Sequence, residues 1–371
     1  TALLCSVVLL AATIPVSTAA AETTAVRTEA PTVADRSYAY YDYQQTHASA
    51  TEAGACIEID AAHFSEGDAA ALRSEYAGRT GVLLLDDTSG AFTYTFTAPQ
   101  DGLYRPEIDY YPIANGSMLD NNVSFRLDGA VPFAEAENVF LSKIYQNEMN
   151  DITCDEYGND VRPTQVEAPA WRHVAFIDNA GYNPDPFLIY LTAGVHTITL
   201  AVDQGAVALA RLTLNGEYVL PTYAEVAAEY EAAGYARATG ELQTYRAELA
   251  DKKSHLTMYP DRDASNVALE PSDPKVKKLN IIGNGSPGEW ISWTVTPIES
   301  GLYSIALRVR QNANRGMFNT RRLYINGEVP FAEANTIEFP YSWNWYNYVL
   351  GGEETPYLFY MEAGKPYEIA L

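Results

Sequence analysis

Histidine, cysteine and basic side chains are scarce in this 371-residue chain. The five histidines show none of the spacings that place two zinc ligands on one helical turn, and no serine lies in a nucleophile-elbow context. Residues 283–288 are rich in glycine but lack the Lys-Ser/Thr pair of a phosphate-binding loop. Carboxylates are too numerous for one pair to stand out as an acid–base couple. We therefore expect a protein that is not an enzyme.

Positive charge is half as common as negative charge. The chain has 24 Lys and Arg against 48 Asp and Glu, for a net charge of −24. Nucleic acid and anionic membrane surfaces would both repel such a chain, so neither is an expected partner. The same charge suits an exported protein that must stay soluble.

Of the three cysteines, Cys5 lies near the N-terminus and precedes an apolar stretch, so it does not predict a lipid anchor. Cys56 and Cys154 are the pair that an exported protein could join in a disulfide. Alternatively, Cys56 heads a predicted strand and is a buried free thiol. The sequence leaves both interpretations open.

Long apolar runs are confined to residues 1–21, where a short apolar core ends in Ser-Thr-Ala-Ala-Ala. This pattern predicts a signal peptide, partial because it lacks the initiator Met and a basic leader, and no membrane span in the mature chain. Residues 22–54 are predicted to be a linker and a docking segment. Its tyrosines at 38–43 could pack on the following module or present a sugar platform.

A long internal repeat organises the rest of the chain. Residues 91–136 return as residues 288–334, with Tyr104 matching Tyr303 at an offset of 199 and the run Val131–Ala136 matching Val329–Ala334 at 198. Such a repeat predicts two similar domains. We expect module one at 55–220 and module two at 241–371.

Each copy alternates apolar and polar residues with the period of a half-buried strand. The residues expected to face the core of module two are Ile291, Trp293, Val295, Tyr303, Ile305, Leu307 and Val309. Asp128-Gly129 and Asn326-Gly327 are typical of tight hairpin turns. The predicted fold is all-β, with two tandem antiparallel β-sandwiches. Alignment of Leu371 with Leu200 predicts that the second is truncated before its last strand.

Two segments interrupt this pattern. Residues 221–240 carry Tyr223, Val226 and Tyr230 at helical spacing and predict a short connecting helix that stops at Gly234. Residues 146–170 occur in module one alone and are acidic. They match no EF-hand, which favours a solvated loop over a calcium site.

The run Gly288–Val295 followed by Gly301-Leu302-Tyr303 resembles the galactose-binding-like jelly rolls, including carbohydrate-binding modules of families six and thirty-five. Residues 158–163, 169–171 and 310–318 resemble the paired N-terminal modules of large secreted solute-binding proteins of bacterial ABC sugar importers. That resemblance covers roughly residues 55–371. It implies secretion, attachment to the surface of a Gram-positive-type cell, and an importer permease reached through a missing downstream domain.

Aromatic residues near amides indicate where a sugar could bind, because ring C–H faces stack on Trp or Tyr while hydroxyls need polar partners. In module two they are Trp343, Asn344, Trp345 and Tyr346; in module one Trp171 is the equivalent of Trp345. These rings could instead close one end of each sandwich. We weigh the two uses evenly at Trp343 and favour packing at Trp171.

The resemblance also implies a structural calcium ion. Residues 245–248 resemble the early motif that supplies a glutamate ligand, which makes Glu248 the candidate in module two. Module one has Ala210 at the expected aspartate position in its last strand. We therefore expect no calcium site there.

Three functions remain open. The modules could bind glycan for a sugar importer, serve as carbohydrate-binding appendages of a secreted glycoside hydrolase, or act as spacers that bind nothing. The resemblance favours the first, and the chain does not name the sugar.

Overall fold

The computed structural model describes residues 39–149, 151–183, 185–240, 242–266, 275–283 and 286–371. The predicted signal peptide and the linker as far as residue 38 lie outside these ranges. No helix among the described residues is long and apolar enough to cross a membrane.

Helix α1 (Tyr40–Thr46), in the predicted docking segment, precedes the antiparallel β-sandwich of module one. Its strands are β1 (Cys56–Asp60), β2 (Leu72–Tyr76), β3 (Arg79–Asp86), β4 (Ala91–Ala98), β5 (Gly102–Pro112), β6 (Asn121–Leu127), β7 (Val139–Leu141), β8 (Tyr145–Asn147), β9 (Gln165–Glu167), β10 (Arg172–Ala175), β11 (Ile189–Leu191), β12 (Gly194–Gln204) and β13 (Ala206–Asn215).

One sheet of module one has the order β10-β5-β13-β3-β2, with β1 on β13 and β11 on β5; the other has the order β4-β12-β6-β7. One continuous core contains the inward residues of both sheets. In β4, Phe92, Tyr94 and Phe96 are buried in alternation, and in β5 Tyr104 and Tyr110 are buried. The predicted alternation of inward and outward residues in this module is confirmed.

Helix α2 (Tyr223–Ala232), in the predicted connecting segment, precedes the strands of module two. Its strands are β14 (Lys252–Lys253), β15 (Ile291–Val295), β16 (Gly301–Ser304), β17 (Ala306–Val309), β18 (Phe318–Arg321), β19 (Tyr324–Ile325), β20 (Ile337–Pro340), β21 (Tyr346–Val349), β22 (Leu358–Met361) and β23 (Tyr367–Ala370). Every ladder between these strands is antiparallel. The all-β architecture predicted from alternation is therefore confirmed.

The inward face of module two is the predicted one, but it is less deeply buried than expected. Ile291 is buried, whereas Trp293 and the residues from Val295 to Val309 on that face are half-buried against the core. In module one, β13 lies along β5; among the described residues of module two, β17 pairs with β21 alone. With no second neighbour strand for β17 among the described residues, this face is less covered than its counterpart in module one.

Ser292 differs from the outward position that the alternation of β15 predicts for it, because it is completely buried. It lies between two neighbours in the sheet, pairing with Lys252 of β14 on one side and Ala370 of β23 on the other. Sequence alternation identified the two faces of β15 but not its pairing with β14.

Helix α2 packs on the core of module two. Thr222 caps it in a reciprocal arrangement with Glu225, and Gly234 follows its end with φ of +71°. Val226 is buried, and Tyr223 and Tyr230 pack beside it. The predicted helical face is confirmed.

The two modules share a sheet. The order β19-β23-β15-β14-β8-β9 places β8 of module one beside β14 of module two, with Tyr145 opposite Lys253 and β9 on the far side of β8. The Lys253 ammonium is buried and donates to Asn147 Oδ1 at 2.7 Å and Gln165 Oε1 at 2.6 Å. Burial lowers the pKa of Lys253 to about 8.

Residues 146–170 are a solvated acidic loop only in part: Glu148, Asp151, Asp155 and Glu156 are exposed, as predicted, whereas the end of the segment lies against module two. Asp160 pairs with Lys278 at 2.9 Å and accepts the Leu279 N–H at 2.9 Å. Arg162 pairs with Asp261 at 2.8 Å. We call the contact of residues 145–167 with module two the inter-module junction.

Cys56 and Cys154 are exposed free thiols. The possible disulfide between them is absent, and so is the alternative in which Cys56 is buried. Cys56 sits on the outer face of the sheet opposite Asn215.

Candidate functional site

Two neighbouring loops form one end of module two. The loop after β17 and the loop before β21 run side by side, because Tyr341 N–H donates to Met317 O at 3.0 Å and Ser342 N–H donates to Gln311 O at 2.8 Å. Gln311 is buried, and its side-chain Oε1 accepts the backbone N–H of Asn314 at 3.0 Å. A buried glutamine thus holds the two loops in a defined conformation. We call this surface the loop end.

Trp343 lies at the tip of the loop end. Its side chain is 71% exposed, while the neighbouring Ser342 hydroxyl donates to Asn344 O at 2.7 Å and accepts the Asn344 N–H at 3.2 Å. The tight turn fixes the backbone and leaves the indole outside the core. Met317 and Phe318 are also exposed, at 68% and 52%. All three apolar side chains are exposed on the two paired loops, and Asn344, next to Trp343 in the chain, is exposed as well.

In contrast to Trp343, the side chains of Trp345 and Tyr346 contact other residues of the protein. The Trp345 indole N–H donates to Asp263 Oδ2 at 3.1 Å, and the guanidinium of Arg310 lies 5.2 Å from its ring centre. Arg310 also pairs with Asp263 at 2.5 Å. The Tyr346 hydroxyl donates to Pro340 O at 3.2 Å. The structure thus leaves Trp343 and Asn344 available to a ligand and engages Trp345 and Tyr346 in packing.

Trp171 of module one is packed like Trp345. Its indole N–H donates to Ala77 O at 2.8 Å, the guanidinium of Arg79 lies 4.4 Å from the ring centre, and Tyr111 meets it edge-on at 5.5 Å. Both predicted residues therefore lie on the outer face of a sheet with their polar atoms paired. The position in module one equivalent to Trp343 is Pro169, by the offset of 174 that relates Trp171 to Trp345.

An ionic network lies beside Trp171. His173 contacts Asp109 at 2.7 Å and Glu107 at 3.0 Å, and Arg79 pairs with Asp109 at 3.0 Å. Hydrogen bonds to Asp109 and Glu107 raise the pKa of His173 to about 10. Burial opposes ionisation of Glu107, yet the bonds from His173 and Arg105 keep its pKa below the usual range. The charges are paired within the network, which makes it a structural feature of the sheet.

Glu248 offers one oxygen to a metal. It is 1% exposed; Oε1 pairs with Arg246 at 2.6 Å, and Oε2 is buried with no hydrogen-bond partner among the described residues. Calcium requires six to eight oxygen ligands. The described residues bring no group of three or more acidic, histidine or cysteine side chains together. The orphaned oxygen fits a cation, but the described residues supply too few donors to hold one.

The matching position in module one lacks the carboxylate. Trp293 donates its indole N–H to Ala247 O at 2.8 Å, and Tyr94, its counterpart, donates its hydroxyl to Ala61 O at 3.2 Å. Ala62 therefore occupies the place of Glu248.

Sequence reasoning missed the contribution of Met317 and Phe318 to the loop end. Residues 310–318 contribute to the family resemblance, but that resemblance does not predict that Met317 and Phe318 are exposed. An apolar pair that follows the Asn-Arg-Gly turn, outside the strand alternation, was the available signal.

No protein-family model matches the chain, and no curated protein does. Solved structures are similar to part of it. A family 35 carbohydrate-binding module from Cellvibrio japonicus is 15% identical, with TM-score 0.26, over 43% of this chain and 91% of that one. The C-terminal family 6 module of a laminarinase from Zobellia galactanivorans is 13% identical, with TM-score 0.23, over 43% and 99%. The likenesses are to carbohydrate-binding modules.

A Podospora anserina GH26-CBM35 β-(1,4)-mannanase is 18% identical, with TM-score 0.25, over 44% of this chain. The match spans 28% of the mannanase. At these scores the fold assignment rests on the sheet topology described above.

Proposed function

We propose that this chain binds carbohydrate, without catalysing a reaction, through the loop end of module two. The observation that carries the proposal is Trp343, a large indole 71% exposed at the tip of a loop whose backbone is hydrogen-bonded on both sides. A tryptophan that closed a sandwich end would be buried, as Trp290 is at 7% exposure. An indole kept in water by an ordered loop is better explained by a ligand.

The chemistry of the surface suits a sugar. An indole face accepts the C–H face of a pyranose, and exposed Asn344 supplies both a hydrogen-bond donor and an acceptor for hydroxyls. Measurements on nucleic-acid bases put one ring-on-aromatic stack at ~1–3 kcal/mol. A single stack therefore supports weak binding, which further contacts along an oligosaccharide would strengthen.

The biological setting is part of the proposal. We place the mature chain outside the cell, at the surface of a Gram-positive-type bacterium, as the N-terminal part of a solute-binding protein that delivers sugars to an ABC importer permease. This rests on the resemblance of residues 158–163, 169–171 and 310–318. Sequencing the gene downstream tests it: a two-lobed α/β binding domain would support the importer, and a catalytic barrel would instead make the modules appendages of a glycoside hydrolase.

The binding proposal is tested by Trp343→Ala in the complete chain. We expect oligosaccharide binding on a glycan array and by calorimetry to fall about tenfold or more, since ~1.4 kcal/mol is a factor of ten. The melting temperature should stay nearly unchanged. Tyr182→Ala is the matched control, because Tyr182 is an 88% exposed aromatic residue of module one. If neither the parent nor the variant binds any glycan, the spacer function is correct.

A further inference from the structure

The loop end differs in charge from the chain that carries it. The segments 311–318 and 340–346 contain no Asp or Glu, although the chain has 48 acidic residues. The nearby carboxylate of Asp263 is neutralised by Arg310 at 2.5 Å. An anion that the rest of the molecule repels thus meets no repelling side chain within these two loops.

One cation of the loop end, Arg315, has no partner among the residues that the structure describes. Arg315 is exposed, and no hydrogen bond or ion pair joins its guanidinium to any residue that the structure describes. By contrast, Arg308 bonds to Asn266 at 2.9 Å and Arg310 pairs with Asp263. Of these three arginines, only Arg315, at the loop tip, has no partner within the described chain.

The backbone holds Arg315 at an apex. Met317 N–H donates to Asn314 O at 3.1 Å, and Gly316 has φ of +79°, so residues 314–317 form a tight turn with Arg315 at its second position. Arg315 is two residues from Met317, and Trp343 is two residues from Tyr341, whose N–H binds Met317 O. The indole and the guanidinium are therefore presented on adjoining loops.

We propose that the loop end selects glycans that carry an anionic group, with Trp343 stacking on a sugar ring and Arg315 binding the anion. This specificity rests on the carbohydrate-binding function proposed above. A guanidinium forms paired, charge-assisted hydrogen bonds with a carboxylate or a sulfate, and those bonds are about twice as strong as neutral ones. An uncharged sugar would gain the stack alone.

The test compares three oligosaccharides of equal length on the complete chain: neutral, uronic acid-containing and sulfated. We expect at least one anionic probe to bind about tenfold more tightly than the neutral one at low salt, and the preference to shrink as salt rises. Comparing uronate with sulfate distinguishes the two sources of the anion.

Arg315→Gln should reduce the anionic preference to about twofold or less without weakening neutral binding, and Arg315→Lys should retain part of it. Arg126→Gln is the control, because Arg126 is an exposed arginine on β6 of module one and the charge change is identical. Equal binding of neutral and anionic probes, with Arg315→Gln matching Arg126→Gln, would overturn this inference alone. Absence of binding by all three probes would overturn the proposed function together with it.

Discussion

Tyr40 and Tyr223 occupy the same position in the two modules. The Tyr40 hydroxyl accepts the Leu188 N–H at 2.7 Å, and the Tyr223 hydroxyl accepts the Leu358 N–H at 2.9 Å. The backbone N–H groups of the two tyrosines donate in turn to Glu135 and Glu333, residues that the repeat makes equivalent, each at 2.8 Å.

The repeated unit therefore includes its leading helix. Tyr40 packs against Phe133 at 4.7 Å, and Tyr223 packs against the equivalent Phe331 at 5.0 Å. Helices α1 and α2 each close one sandwich with a tyrosine. The sequence repeat does not extend this far, because only the tyrosine and its contacts are retained.

Tyr40→Phe and Tyr223→Phe should each destabilise the chain. Each change leaves a backbone N–H without its acceptor, which costs about 1–3 kcal/mol where the group is buried. Urea denaturation followed by fluorescence would measure the free energy of unfolding. Tyr41→Phe is the control at a 62% exposed position. Equal stability of all three variants would contradict the assignment of these hydroxyls as closing contacts.

Among the residues at the contact between the two modules, Trp290 should be the one whose substitution lowers stability most. Its indole N–H donates to Ser142 Oγ at 3.0 Å, and the guanidinium of Arg172 lies 3.8 Å from its ring centre. Trp290→Ala is expected to cost about 3–5 kcal/mol and to separate one unfolding transition into two. Calorimetry would resolve the transitions. An unchanged single transition would show that the modules are coupled mainly through β8 and β14.

Trp343→Ala serves as the matched control for Trp290. The same side chain is deleted, but from a position 71% exposed instead of 7% exposed. We expect no second transition and little loss of stability.

Alternation predicted the sandwich because each strand of a half-buried sheet encodes its own inward face. Phe92, Tyr94 and Tyr104 could be assigned in this way. The shared sheet could not, since the pairing of Tyr145 with Lys253 joins segments far apart in the sequence and neither carries a local signal for it. The same holds for Asp160, whose acidic neighbours suggested a solvated loop although its partner Lys278 lies in the other module.

The aromatic residues of the loop end show a second limit of prediction from sequence. Trp343 and Trp345 are two residues apart, yet one is exposed and the other pairs with Asp263. Their difference comes from the turn at Ser342 and Asn344 and from a carboxylate more than eighty positions away. Composition indicated which loop to examine; tertiary contacts decided which ring was free.

Calcium should act on module two if the orphaned oxygen of Glu248 receives a cation. A buried carboxylate oxygen without a partner costs stability that a bound cation would restore. Because the described residues supply too few donors for a complete site, we expect calcium to change the melting temperature of this chain little. A clear rise that Glu248→Gln abolishes would show that residues outside the described ranges complete the site. The calcium-dependent difference is the readout, because the substitution also removes the ion pair with Arg246. An equal rise in the variant would place any calcium elsewhere, for instance in module one, where Ala62 and Ala210 predict none.

The last prediction concerns pH and His173. Its bonds to Asp109 and Glu107 raise its folded pKa to about 10 from 6.5, so the folded chain holds this proton more tightly than the unfolded chain does. The stabilising contribution is complete below pH 6.5 and is lost as pH rises from 6.5 towards about 10. His173→Gln should therefore reduce stability most at about pH 5 to 6, and its difference from the parent should shrink at alkaline pH.

Denaturation of both chains across this range provides the measurement, and taking the difference cancels the opposite trend of Lys253, whose folded pKa is lowered to about 8. The side chain of His173 is 41% exposed, so solvent weakens the effect, but its sign is fixed. His63→Gln, at a side chain 78% exposed, is the control. A parent-to-variant difference that stays constant with pH would show that His173 stabilises the sheet by shape and not by charge.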